Sequence, residues 1–423
     1  MDRNPSETAG MPHTILDLLI DTLTLDMRPF PVDAELRDAT KCLVYRTFWS
    51  MTLVHRSWTN AARRGLWRRA VIYSDTFSAV LREPVRCSQL QELAVIFTDD
   101  SLEEEALFVD ILRLSPSIRT LFIEYAEDRG VKFYKVLDQL HHQTNLKRLW
   151  IFSFPIACIE EVCTVVANHP NLKSLLLDCG EAASDGNLPR ASLLDQIGPP
   201  AQSLQSVAII EPLDWVYVTW LLQPQAEKGI SNFVISLENP ADFEQDPELI
   251  ERFYECLPRL QSLHVLISNT RDGYVEHLQN ETLKSFLFMA TNLRQLTLSI
   301  SDVLYVRHLH LPGSLRRLHI HADMYVGKLD NRYSGVLEYN DDSISSILKG
   351  WLSSSTSSSP RRLDMLIISF VGSADVLLDK LPVLSALLSK TREVCLSMEA
   401  TLSFEVRESA YLGDIAEDAA FTD

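Results

Sequence analysis

From residue 90 onward one short pattern recurs: an aliphatic residue, two variable ones, an aliphatic, one variable, an aliphatic. It reads LQELAV at Leu90, IRTLFI at Ile118, LKRLWI at Leu146, LKSLLL at Leu172 and LQSVAI at Leu204. It continues as ISNFVI at Ile230, LQSLHV at Leu260, LRQLTL at Leu293, LRRLHI at Leu315 and LDMLII at Leu363, with a degraded copy, TREVCL, at Thr391. Start-to-start spacings are 28, 28, 26, 32, 26, 30, 33, 22, 48 and 28 residues. Alternating aliphatic and variable positions within each copy predict one short strand with a buried face.

Between the copies lie segments with helical character, Leu102–Leu114, Val131–His142, Ala157–Ala167, Pro247–Cys256 and Ala374–Leu388. In the third of these, Ile159, Val162, Cys163 and Val166 fall at helical spacing. Prolines punctuate the route to the next strand, as in His169-Pro170-Asn171-Leu172 and Cys256-Leu257-Pro258, because proline cannot continue a helix interior. A strand and a helix every ~28 residues predict parallel strands side by side with helices outside. At 423 residues the chain is too long for one ordinary compact core, and stacking repeats relieve that limit. A doubly wound enzyme also alternates strands and helices, but no GxGxxG or GxxxxGK[ST] phosphate loop occurs here.

This repeat resembles the leucine-rich-repeat family, in an irregular, ribonuclease-inhibitor-like form. The resemblance implies an α/β solenoid: a horseshoe with a parallel concave sheet and outer helices, spanning 73–398. The Asn or Cys that often follows the strand in that family is replaced by Thr98, Ala126, Phe154, Glu238 and Val371. The 48-residue spacing after Leu315 holds a further helical stretch, Asp341–Leu352, and then the serine-rich Ser353–Ser359, which reads as a surface linker.

The formal net charge of −18 opposes nucleic acid or an anionic membrane as the main partner. One segment breaks the trend: Lys41, Arg46, Arg56, Arg63, Arg64, Arg68 and Arg69 occur between residues 41 and 73 with no acid among them. That asymmetry marks a module boundary near residue 73. No apolar run reaches the ~18 residues needed to span a bilayer. The polar N-terminus, 1–10, is followed by no apolar signal region. Seven scattered cysteines without a CxxC pair suit reduced thiols in a cytoplasmic or nuclear setting.

Two N-terminal pieces carry a second resemblance. The first is Met11-Pro12-His13-Thr14-Ile15-Leu16-Asp17-Leu18-Leu19-Ile20-Asp21-Thr22-Leu23, in which Pro12 suits a first helical turn and Ile15, Leu16, Leu19, Ile20 and Leu23 form one apolar stripe. The second is Leu53-Val54-His55-Arg56-Ser57-Trp58-Thr59-Asn60-Ala61-Ala62-Arg63-Arg64-Gly65-Leu66-Trp67-Arg68. Together, residues 11–72 resemble the F-box, a small all-α module, interrupted by an insertion at about 24–47. Met11 stands for the family's usual leucine and His55 for its cysteine. The resemblance implies binding of a Skp-family adaptor within an SCF-type cullin ubiquitin ligase. The adaptor-facing positions carried over are Met11, Pro12, Ile15, Leu16, Leu19, Leu53 and Val54, with Trp58 structural. The basic stretch fits an acidic adaptor. It equally fits solvated helix faces.

Within each strand the variable positions share the face opposite the aliphatics. Same-register residues of neighbouring strands then form rows. Ile96, Phe122, Trp150, Phe152 and Leu176 are expected to make an exposed apolar-aromatic patch with Glu124 and Arg148 among its charged edge, the anatomy of a protein-binding hot spot. The alternative is that the acidic tail, 399–423, or a loop covers it. The pairs His308-Leu309-His310 and His319-Ile320-His321 place histidines on one face, and read as polar surface residues rather than metal ligands. No GxSxG, HExxH or paired nucleophile is present, so the chain reads as a non-enzymatic substrate receptor without a cofactor. The alternative reading is a binding scaffold whose F-box-like segment only caps the first repeat.

Overall fold

The computed structural model describes residues 62, 68–97, 102–125, 134–152, 158–178, 194–210, 215–223, 229–237, 247–267, 280–299, 310–326, 334–353 and 361–407. The chain divides into two compact units, Met1–Leu172 and Lys173–Asp423. Both are built from parallel strands alternating with helices, and no described helix is long and apolar enough to cross a membrane.

In the first unit, strands β1 (Arg69–Tyr73), β2 (Glu92–Phe97), β3 (Thr120–Tyr125) and β4 (Arg148–Phe152) pair in chain order. Arg69, Glu92, Thr120 and Arg148 lie level, so equivalent positions of the repeat sit side by side. The ladder extends ahead of the strands, with Arg119 N–H donating to Gln91 O and Lys147 N–H to Arg119 O, both at 2.7 Å. Between the strands run helices α1 (Leu102–Leu114), α2 (Tyr134–Leu140) and α3 (Ile159–Asn168). Glu103, Glu104 and Glu105 occupy the first turn of α1 and Arg113 the last, the signs that suit a helix dipole. The aliphatic face of the sheet meets the helices: Phe97 of β2 and Phe108 of α1 pack edge-to-face at 5.5 Å, with Phe77 against both.

Adjacent repeats of this unit are tied by side chains as well. Buried Gln143 donates from Nε2 to Leu112 O at 2.7 Å, and Asn145 and Asn171 donate to Pro116 O and Thr144 O, each at 3.1 Å. His169 is buried, with Nδ1 2.7 Å from Val165 O and Nε2 2.8 Å from Leu140 O. Both partners are backbone carbonyl oxygens. His169 therefore clasps the end of α3 to the end of α2.

The second unit holds β5 (Ser174–Asp178), β6 (Ser206–Ile210), β7 (Asn232–Leu237), β8 (Ser262–Ile267), β9 (Gln295–Ser299), β10 (Arg317–Tyr325), β11 (Met365–Val371) and β12 (Thr401–Arg407), each paired in parallel with the next. Its helices are α4 (Trp215–Leu221), α5 (Pro247–Cys256), α6 (Asn280–Met289), α7 (Ser334–Ser353), α8 (Ala374–Leu387) and α9 (Ser389–Ser397). Phe233 of β7, Phe253 of α5 and Phe286 of α6 pack in series at 5.5 and 4.7 Å. Gly229 enters β7 with a φ of 55°, and a Cβ there would meet Arg259 Nη1 at 2.9 Å, so this bend accepts glycine alone without displacement.

The long spacing after Leu315 is occupied by α7, which extends beyond the expected Asp341–Leu352. Its Asp341 carboxylate accepts from the backbone N–H of Lys390 and Thr391, at 3.0 and 2.7 Å, and so caps α9. Buried Trp351 donates to Pro312 O at 3.1 Å, fastening α7 to the start of its own repeat.

Three expectations are corrected. TREVCL at Thr391 lies in α9 and is no strand; the strand of that repeat is β12, reached through Glu399, whose φ of 58° ends the helix, with Ala400 N–H donating to Cys395 O at 2.9 Å. The ladder therefore runs to Arg407, into the segment expected as a tail from 399. It also begins at Arg69, before the expected boundary at 73, because Arg69–Tyr73 pairs with β2. The adaptor-facing positions Met11, Pro12, Ile15, Leu16, Leu19, Leu53 and Val54, Trp58, the insertion 24–47 and the serine-rich Ser354–Ser359 lie outside the described residues.

Candidate binding surface

The face of each sheet opposite the helices is where a partner was expected. In the first unit the expected register holds: Phe122 lies level with Ala94 and Trp150, and Glu124 with Ile96 and Phe152. The rings associate, with Phe122 stacked on Phe152 at 4.8 Å and edge-to-face with Trp150 at 6.4 Å. Their exposure is not as expected. Phe122 and Trp150 are 0 % exposed and Phe152 2 %, and in the second unit Leu176 is 0 %. Only Ile96, Glu124 and Arg148 keep partial exposure. Thus the aromatic positions form core on both sheet faces. The strand period assigns a side chain to a face, but says nothing about what lies over that face.

In the second unit this face is polar where β8 to β11 run. His264 lies between two hydroxyls, Nε2 2.5 Å from Ser262 Oγ and Nδ1 2.5 Å from Thr297 Oγ1. Ser369 Oγ lies 2.8 Å from His319 Nε2 and 3.1 Å from His321 Nδ1. Register brings these together, since His264 sits beside Thr297, Thr297 beside His319, and His321 beside Ser369. Hydroxyls donate and accept, so the row satisfies polar groups in a buried setting and ties strands laterally. His321 is buried, correcting the surface position expected for it, whereas His319 keeps partial exposure. Ser369 is wholly buried, so its hydroxyl cannot reach a substrate carbonyl. Among the described residues no group of three or more His, Cys, Asp or Glu side chains is placed to hold a metal ion.

Four of the five described thiols are set against nucleophilic use. Burial pushes Cys256 and Cys395 up to about 11 and raises Cys87 and Cys163 as well, so the thiolate is scarce at neutral pH. Buried Glu105 of α1 is held above the ordinary carboxylate range by burial, against the opposing pull of the Lys135 and Val136 backbone N–H groups and the Lys135 charge. From the first turn of α1 its carboxyl reaches the backbone N–H groups at the start of α2.

One charged feature was not singled out from sequence. At the start of β9 and β10 the exposed arginines Arg294, Arg316 and Arg317 stand together: Arg316 and Arg317 N–H both donate to Arg294 O, at 2.8 and 2.9 Å. The available signal was the LR dipeptide opening two successive copies, LRQLTL and LRRLHI. The surface is thus a parallel-strand framework with a buried polar row and a basic strand-start edge. Comparison of the chain with family models and with curated proteins returns no match.

Proposed function

We propose that this chain is the substrate-recognition subunit of an SCF-type cullin ubiquitin ligase, a non-enzymatic receptor. The F-box-like segment 11–72 binds a Skp-family adaptor through Met11, Pro12, Ile15, Leu16, Leu19, Leu53 and Val54, and the repeats capture a protein substrate. The observation that carries the second half is the parallel register within each unit, continuous in chain order apart from one shift between His321 and Tyr325 of β10. It repeats one strand per copy and presents same-position side chains in rows, a framework suited to holding an extended partner. The first half rests on the resemblance of the two N-terminal pieces. The burial of Trp150 and Phe122 moves substrate contacts away from the aromatic row toward the partly exposed positions Ile96, Glu124 and Arg148.

Co-purification with a Skp-family adaptor tests the reading. The wild type should form a stable complex that a Pro12→Asp, Leu16→Asp double variant loses. A folded wild type that does not bind the adaptor overturns it. That outcome would favour a second reading, a binding scaffold with an N-terminal cap. Two observations lean that way: Ala62, inside the segment, is fully buried, and β1, whose first residues Arg69–Ile72 also belong to the segment, pairs with β2.

A further inference from the structure

We propose that the edge of the second unit formed by Arg294, Arg316 and Arg317 is a docking surface for a carboxylate-rich peptide segment of a protein partner. The proposal rests on the receptor reading only for calling that partner a substrate.

The argument begins with charge. The chain carries 57 acidic and 39 basic residues, so an exposed arginine has ample acids to pair with. Five described arginines do so. Arg69 meets Glu92 at 3.3 Å, Arg86 meets Glu83 at 3.5 Å, Arg113 meets Asp110 at 3.0 Å, and Arg252 meets Glu255 at 3.1 Å. Even Arg362, near the start of β11, has Asp364 at 3.4 Å. Arg294, Arg316 and Arg317 form no ion pair with any described residue; the one side-chain bond of the three goes from Arg316 Nη1 to the backbone O of Arg362, at 3.2 Å.

Proximity follows from register. Arg317 lies level with Gln295, so Arg316 lies level with Arg294, and with neighbouring strands about 4.8 Å apart those two share one side of the ladder while Arg317 opens the adjoining side. Like charges held close without counterions cost stability. A guanidinium binds a carboxylate through two parallel N–H donors, which suits it to a row of Asp and Glu side chains. Met365, level with Arg317 on the next strand and partly exposed, adds an apolar contact beside the charges.

A nucleic acid is the other polyanion such a patch invites, and the rest of the chain disfavours it. With a Debye length of about 8 Å at physiological salt, a short peptide meets only the local positive field. A long polyanion runs on over a surface whose net charge is −18. A short acidic segment is therefore the matching partner.

The test uses the full chain and a fluorescein-labelled dodecapeptide of alternating Asp and Glu, with binding read by anisotropy at low and physiological salt. The wild type should bind, more weakly at higher salt. An Arg294→Glu, Arg316→Glu, Arg317→Glu variant should lose roughly tenfold or more in affinity. The corresponding Arg→Gln variant, which avoids introducing new charge, should lose several-fold with an unchanged thermal melt. Equal binding by wild type and the Arg→Gln variant overturns the proposal. So does a twelve-nucleotide single strand that binds as tightly as the peptide through these arginines, or self-association of the chain that the variants abolish. No adaptor is present in this assay. Failure of adaptor binding with peptide binding intact removes the receptor reading and keeps the surface; the converse removes the surface alone.

Discussion

Trp150→Ala separates a core residue from a surface hot spot. The indole is 0 % exposed, packs edge-to-face with Phe122, and lies in a strand in which only Arg148 is not fully buried. A buried aromatic of this class removes about 150–250 Å² from water. At about 25 cal/mol per Å² that is roughly 4–6 kcal/mol, part of which an alanine retains. The lost contact with Phe122 adds about 0.5–1.5 kcal/mol, and the neighbours recover some by closing in. The expected loss is about 3–5 kcal/mol, matching the general cost of Trp→Ala in cores. Urea unfolding followed by circular dichroism measures it, with the midpoint falling and the m-value held. Phe288→Ala is the internal control: Phe288 is 79 % exposed on α6, and its loss should stay within about 0.5 kcal/mol. A Trp150→Ala cost below about 1 kcal/mol at constant m would refute the core assignment and restore the aromatic row as an open surface.

Two further outcomes are expected. Burial raises the Glu105 pKa, so the folded chain holds that proton more tightly than the unfolded one. Stability from this group is fully present below the ordinary Glu value of about 4.3 and is lost as pH rises through the raised value. Glu105→Gln should accordingly flatten the decline of stability with pH over that window, and an unchanged slope in pH-resolved melts would show that the group titrates normally. For the thiols, iodoacetamide at pH 7.5 followed by peptide mapping should leave Cys256 and Cys395, both pushed up to about 11, unmodified in the folded chain and modified in urea. Rapid native labelling of either would place it in a solvated, activated setting.

Much of the scaffold was legible from periodicity. The LxxLxL copies located β2 through β11, since alternation marks a strand and the fixed aliphatic positions set which residues lie level. The expected ranges Leu102–Leu114 and Pro247–Cys256 match α1 and α5, because apolar spacing and proline punctuation are local signals. TREVCL misled for a related reason: Val394 and Cys395 are buried, but on a helix, and a short apolar run carries no mark of which period it belongs to. The strand that replaces it, TLSFEVR, is reached by a left-handed turn at a glutamate, which no turn residue announced.

For the binding surface, spacing determined which side chains share a face, and therefore that Phe122 and Trp150 belong to one row. Only the tertiary structure decided which of those faces stays open. It buried the aromatic row, set His264, His319 and His321 against hydroxyls, and left Arg294, Arg316 and Arg317 exposed at neighbouring strand starts with no ion pair among the described residues. The reason is physical. Periodicity is a property of a segment and its own neighbours, whereas burial and pairing are sums over everything that packs nearby, including chain far away in sequence.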